Sequence, residues 1–139
     1  VFGLGVELDG LVDKKMYGET IFIDPIEKAA ETAHLLKKDL GCDLVICLSH
    51  LGYTSKVDNK ACDVVIAKQS KNIDLIIGGH SHTFIDKPYK YLNSDYKDIY
   101  VCQVGWAGVK LGRIDFYFEK KSKKIFVDAY TINIFNNQV

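Results

Sequence analysis

Three of the four histidines in this 139-residue chain stand where an apolar run gives way to glycine. His80 and His82 close the stretch Ile73-Asp74-Leu75-Ile76-Ile77-Gly78-Gly79-His80-Ser81-His82-Thr83, and His50 closes Cys42-Asp43-Leu44-Val45-Ile46-Cys47-Leu48-Ser49-His50, with Gly52 two residues on. Neutral imidazole is the commonest side-chain ligand of a borderline-soft divalent ion such as zinc or manganese. Gathered at one place, His50, His80 and His82 would make a metal site. An H-x-H pair lacks the fixed helical geometry of H-E-x-x-H, so its spacing alone suits a metal site and hydrogen-bonded loop histidines equally.

The elements that must position these residues read as strands. Leu75-Ile76-Ile77 is short, aliphatic and uncharged, which suits a strand buried on both faces. Gly78 and Gly79 then let the backbone turn sharply and approach its neighbours closely. The stretch ending at His50 repeats the design, and a loop and helix fit between the two. Two neighbouring parallel strands joined by a helical crossover would bring the three histidines to one sheet edge, where open α/β sheets collect their ligands.

In chain order, Val1 to Leu8 reads as a strand with a turn at Asp9-Gly10, and Glu19 to Ile23 as a short strand. Asp24 as N-cap, Pro25 at the first helical position and Glu27 three after the cap start a helix running to about Leu40, stopped by Gly41. Its apolar face is Ile26, Ala29, Ala30, Ala33, Leu36 and Leu40, with His34 at the margin as a solvated or half-packed helix histidine. Asp58 is expected to cap a helix of roughly a dozen residues ending near Lys71-Asn72. Phe84 to Asp98 has no period and reads as a long surface loop. Ile99 to Val104 is a strand followed by a tight turn at Gly105-Trp106-Ala107-Gly108. Leu111 to Glu119 and Ile125 to Ile134 form a hairpin whose tip is Lys120 to Lys124, giving an antiparallel edge to the sheet, and Asn136-Asn137-Gln138 reads as a linker. The fold class is α/β, a mixed sheet with helical crossovers.

Acidic and basic side chains balance at 18 each. No long-range field therefore favours a nucleic-acid polymer or an anionic membrane, and a phosphate site would draw its positive potential from metal ions or backbone amides. No apolar run is long enough to span a bilayer. The four cysteines, Cys42, Cys47, Cys62 and Cys102, have no C-x-x-C spacing and read as packing residues. The chain opens inside what reads as a strand, so the expectation is a piece of something longer.

Ser49-His50-Leu51-Gly52, Gly78-Gly79-His80-Ser81-His82-Thr83, and Gln103-Val104-Gly105-Trp106-Ala107-Gly108 running into Leu111-Gly112-Arg113-Ile114-Asp115-Phe116 occur in this order. Together they resemble the later half of the catalytic domain in the 5′-nucleotidase group of calcineurin-like metallophosphoesterases. The resemblance covers nearly the whole chain. It implies residues 1–139 as the C-terminal half of that domain, half of a four-layer α/β/β/α sandwich. It implies a hydrolase that uses two divalent metal ions, zinc, manganese or similar, to cleave phosphate monoesters such as nucleotides with an activated water. Carried over by position, His50 and His80 correspond to ligands of one ion and His82 to a ligand of the other.

The earlier half of such a domain carries Asp-x-His, Gly-Asp and Asn-His motifs, and none occurs here. The resemblance thus places no catalytic residue in this chain, and the separate nucleotide-binding domain is absent as well. The expected partners are a phosphate monoester and the missing N-terminal half, and an edge left bare by that half would favour self-association. A periplasmic or cell-surface location follows from the resemblance. A reading of another class is a non-catalytic domain, derived from such an enzyme, that binds a metal or a partner chain.

Overall fold

A computed structural model describes residues 1–58, 60–119 and 125–134. Five strands make the main sheet: β1 (Phe2–Leu4), β2 (Ile46–Ser49), β3 (Leu75–Ile77), β4 (Tyr89–Leu92) and β5 (Asp98–Cys102), in the spatial order β1-β2-β3-β5-β4. The pairings β1–β2, β2–β3 and β3–β5 are parallel and β4–β5 is antiparallel, so the sheet is mixed. Strands β6 (Lys110–Phe118) and β7 (Ile125–Asn133) pair antiparallel.

Register places Cys47 beside Ile76 and Ile76 beside Val101, and all three are buried. This row meets two helices. One is α2 (Pro25–His34), which presents Ala29 and Ala33, and the other is α3 (Asp63–Gln69), which presents Ile66 and Ala67. Alanines here let helix and sheet approach closely, and the larger aliphatics fill the space between to interior density. The next row along, Leu48 beside Ile77, belongs to the opposite face, where both side chains are substantially exposed.

The aspartate before β3 links the starts of β2 and β3. Asp74 accepts the Val45 amide at 2.7 Å and the Lys37 ammonium at 2.9 Å, and Lys37 also donates to the Asp43 carbonyl. Asp24 caps α2 as expected, accepting the Ile26 and Glu27 amides with Pro25 following. Exposed His34 ends this helix.

Several expectations need correction. The turns after His34 widen into a π-helix (Leu35–Asp39), which leaves Leu40 exposed rather than on the core face. Glu19 to Ile23 forms no strand, and Ile21, Phe22 and Ile23 are exposed. The first strand is only Phe2–Leu4, and a short helix, α1 (Lys14–Tyr17), starts at the side-chain cap of Asp13. The helix expected from Asp58 begins at Asp63, because the Asp63 and Val64 amides are taken by the Gly52 and Tyr53 carbonyls. Within the expected loop Phe84 to Asp98 lies β4, an edge strand whose side chains are mostly exposed. The β6–β7 hairpin is a separate two-stranded sheet rather than an edge of the main one. The expected tip, Lys120 to Lys124, and the linker Asn136 to Gln138 lie outside the described residues.

Candidate metal centre

His50 directly follows β2 and His80 stands three residues after β3, so the parallel pairing of these strands delivers both to one sheet edge. Their ring centroids are 5.1 Å apart with the planes inclined at 66°. Both are exposed, so the pair opens to solvent. His82 goes elsewhere. Its ring stacks on Trp106, with centroids 5.9 Å apart and planes at 16°.

The splay comes from Ser81. Its hydroxyl accepts the Tyr53 amide at 3.0 Å, donates to Gln103 Oε1 at 3.1 Å and lies 2.9 Å from the Thr83 hydroxyl. With Ser81 tied down, the residues on either side adopt left-handed backbone, φ 68° at His80 and 54° at His82. Non-glycine residues hold this conformation only where their surroundings over-determine it.

Beneath the exposed pair lies a buried polar layer that the sequence reading missed: Ser49, Asp63 and Gln103, which are 7%, 0% and 1% exposed. Ser49 Oγ donates to Asp63 Oδ1 at 2.5 Å and accepts the Leu51 amide at 3.2 Å. Gln103 Nε2 donates to the Gly79 carbonyl at 2.8 Å, while its Oε1 accepts the Thr83 amide. The glycines are what this layer requires. A methyl on Gly78 would collide with Asp63 Oδ2, and one on Gly79 would meet His50 Nδ1 at 3.1 Å. Burial pushes the Asp63 carboxyl up to about 6, against the lowering effect of the Ser49 hydrogen bond. Burial, with the Asp63 charge nearby, pushes the Cys47 and Cys102 thiols up to about 12. All four cysteines are free, and these two buried thiols stay protonated and inert near neutrality. Two signals for the layer were present in the sequence: a lone acid opening an apolar helix, and a glutamine directly after a buried strand.

The His50–His80 pair fits part of a divalent-metal ligand set. With Zn–N near 2.0–2.1 Å, two imidazoles on one tetrahedral ion have ring centres roughly 5 Å apart. Among the described residues, no group of three or more His, Cys, Asp or Glu side chains is arranged to hold a metal ion. A cleft of about 520 Å³ adjoins His80 and carries Glu7, Asp9, Asp24 and Lys60 on its walls.

The mixed sheet is one that solved 5′-nucleotidase structures share: this chain is a homologue of the 5′-nucleotidases and has part of their metallophosphoesterase fold. No protein-family model matches it. The trifunctional nucleotide phosphoesterase protein YfkN of Bacillus subtilis is 35% identical over 121 residues, covering 87% of this chain and 8% of that protein. Snake venom 5′-nucleotidase of Naja atra is 28% identical over 117 residues, covering 75% of this chain and 21% of that protein. The structure of a 5′-nucleotidase precursor from Thermus thermophilus superposes with a TM-score of 0.68 at 26% identity, covering 81% of this chain and 23% of the other. The chain thus spans about a quarter or less of the proteins it matches.

Proposed function

We propose that this chain is the C-terminal half of a 5′-nucleotidase-like catalytic domain and supplies His50, His80 and His82 as ligands to a two-metal site. The preceding half of the domain would supply the remaining ligands. The observation that carries the reading is the His50–His80 pair, two imidazoles 5.1 Å apart in a chain whose relatives are nucleotide phosphoesterases. When bound, divalent ions such as zinc or manganese supply the positive charge that activates water and neutralises phosphoryl oxygens.

The chain's own residues do the rest of what falls to them. Ser49, Asp63 and Gln103 fix the strand ends, and the Gly78-Gly79 backbone lets His80 come close to His50. The open cleft beside His80 leaves room for a phosphate monoester such as a nucleotide. Alone, the chain binds metal weakly and does not turn over, because among the described residues no acids are grouped with the histidines to neutralise two adjacent dications. Among the described residues, no helix is long and apolar enough to cross a membrane. We place the parent protein in the periplasm or at the cell surface, in keeping with a relative named for venom.

The test is equilibrium dialysis with zinc and manganese, alongside phosphate release from nucleoside monophosphates by the chain and by His80→Ala. Metal binding that His80→Ala weakens, without turnover, is the expected result. Robust turnover abolished by the substitution would overturn the claim of an incomplete site. Failure to bind either ion would favour a non-catalytic partner-binding domain.

A further inference from the structure

We propose that Asp63 is a positioning residue that ties together the two strand ends bearing His50 and His80, so that they are presented as one pair. Only the identity of what the pair holds rests on the function proposed above. Asp63 is the first residue of α3, yet its carboxylate does not serve that helix. The N-cap is Cys62, with no side-chain capping bond. The Asp63 carboxylate instead faces the sheet. Oδ1 accepts from Ser49, the residue before His50, and Oδ2 lies against Gly78, two residues before His80. Its amide donates to the Gly52 carbonyl at 2.8 Å, so backbone and side chain together grip both sides of the His50 turn.

Two further observations make this more than packing. Asp63 is fully buried, and Oδ2 has no hydrogen-bond partner, an arrangement that a side chain chosen only to fill space would avoid. His80 sits in left-handed backbone, and the chain leading to it is held on one side by Asp63 against Gly78 and on the other by Gln103 bonded to the Gly79 carbonyl. Without the carboxylate, Ser49 and Gly78 lose their common contact. The β2–β3 pairing would still bring His50 and His80 to one edge, but the turns that carry them would no longer be fixed to each other through one side chain.

Zinc affinity by calorimetry, imidazole NMR signals of the metal-free chain and thermal unfolding separate positioning from filling. Asp63→Ala should weaken zinc binding roughly 10–100-fold, the usual cost of removing a residue that orients a ligand. Ser49→Ala, which breaks the same link without touching α3, should do likewise, and Asp63→Asn, which can still accept from Ser49, should restore most of the affinity. The double variant Asp63→Ala/Gly78→Ala puts a methyl where the carboxylate stood, so it should recover melting temperature lost in Gly78→Ala while zinc affinity stays low. Recovery of both, or Asp63→Ala and Ser49→Ala binding zinc within twofold of the parent, would overturn the proposal. If the parent chain bound no zinc, the proposed function would fail. The imidazole signals would then decide this inference: changes at both His50 and His80 in Ser49→Ala uphold it, and unchanged signals overturn it.

Discussion

His80 and His82 are two residues apart, yet they are held by opposite kinds of structure. His80 faces His50 above a layer of buried hydrogen bonds, while His82 leans on the exposed indole of Trp106 at a turn. The turn depends on glycine: Gly105 and Gly108 are left-handed at φ 76° and 68°, Ala107 between them is held left-handed at 58°, and a methyl on Gly105 would collide with the Phe84 ring. The lesson is that proximity in sequence says little about shared support. His80 is positioned from beneath by groups that cannot move without disturbing the core, and His82 from the side by a ring in solvent.

The largest break in this comparison should come from the histidines. His80→Ala or His50→Ala is expected to weaken zinc binding by more than the roughly 10–100-fold typical of outer-shell substitutions, and His82→Ala by only a few-fold. Calorimetric titration of the three variants checks it, and equal losses would erase the distinction.

The next effect is on stability. Burial holds the Asp63 carboxyl at about 6 in the fold, against an ordinary value of 3.8. A raised acid stabilises the fold below its unfolded value and loses that contribution as pH rises through the folded value, so Asp63 should cost stability progressively between pH 4 and 6. A displacement of about two pH units corresponds to at most about 3 kcal/mol. Urea unfolding of parent and Asp63→Asn at pH 4, 5, 6 and 7 should show the parent's stability falling relative to the variant over that window. The groups its charge meets there are the Cys47 and Cys102 thiols and the Tyr53 hydroxyl, all raised and neutral throughout. Parallel curves would show that the carboxyl is not perturbed.

The smallest effect should come from Trp106→Ala. An exposed ring that packs on one imidazole contributes little to the fold, within about 0.5 kcal/mol. The His50–His80 pair should keep its zinc affinity within twofold, as calorimetry would show. A larger loss would mean that the rim supports the pair after all.

The strand ends were legible because their signals are local: an aliphatic run, a glycine break and a histidine state both the strand and where it stops. Asp24-Pro25 is legible for the same reason, since capping is settled within four residues. What escaped is tertiary. Asp58 has the chemistry of a cap, but the carbonyls of Gly52 and Tyr53, distant until the chain folds, set the start of α3 at Asp63. Tyr89–Leu92 has no burial pattern because an edge strand needs only a neighbour's backbone, which β5 provides. Asp63 and Gln103 are of types that mostly lie at surfaces, and only the packing of α3 and β5 beneath the glycines buries them.

Trp106 is the only tryptophan in the chain, and it lies on the imidazole of His82. Its ultraviolet emission therefore reports on one candidate ligand without any label. Indole stacked on imidazole is a donor–acceptor couple, so anything that turns, protonates or engages His82 changes the quenching of the single emitter. A fluorimeter cuvette is enough to watch this rim respond to an ion or an ester, and the His50–His80 pair has no such lamp of its own.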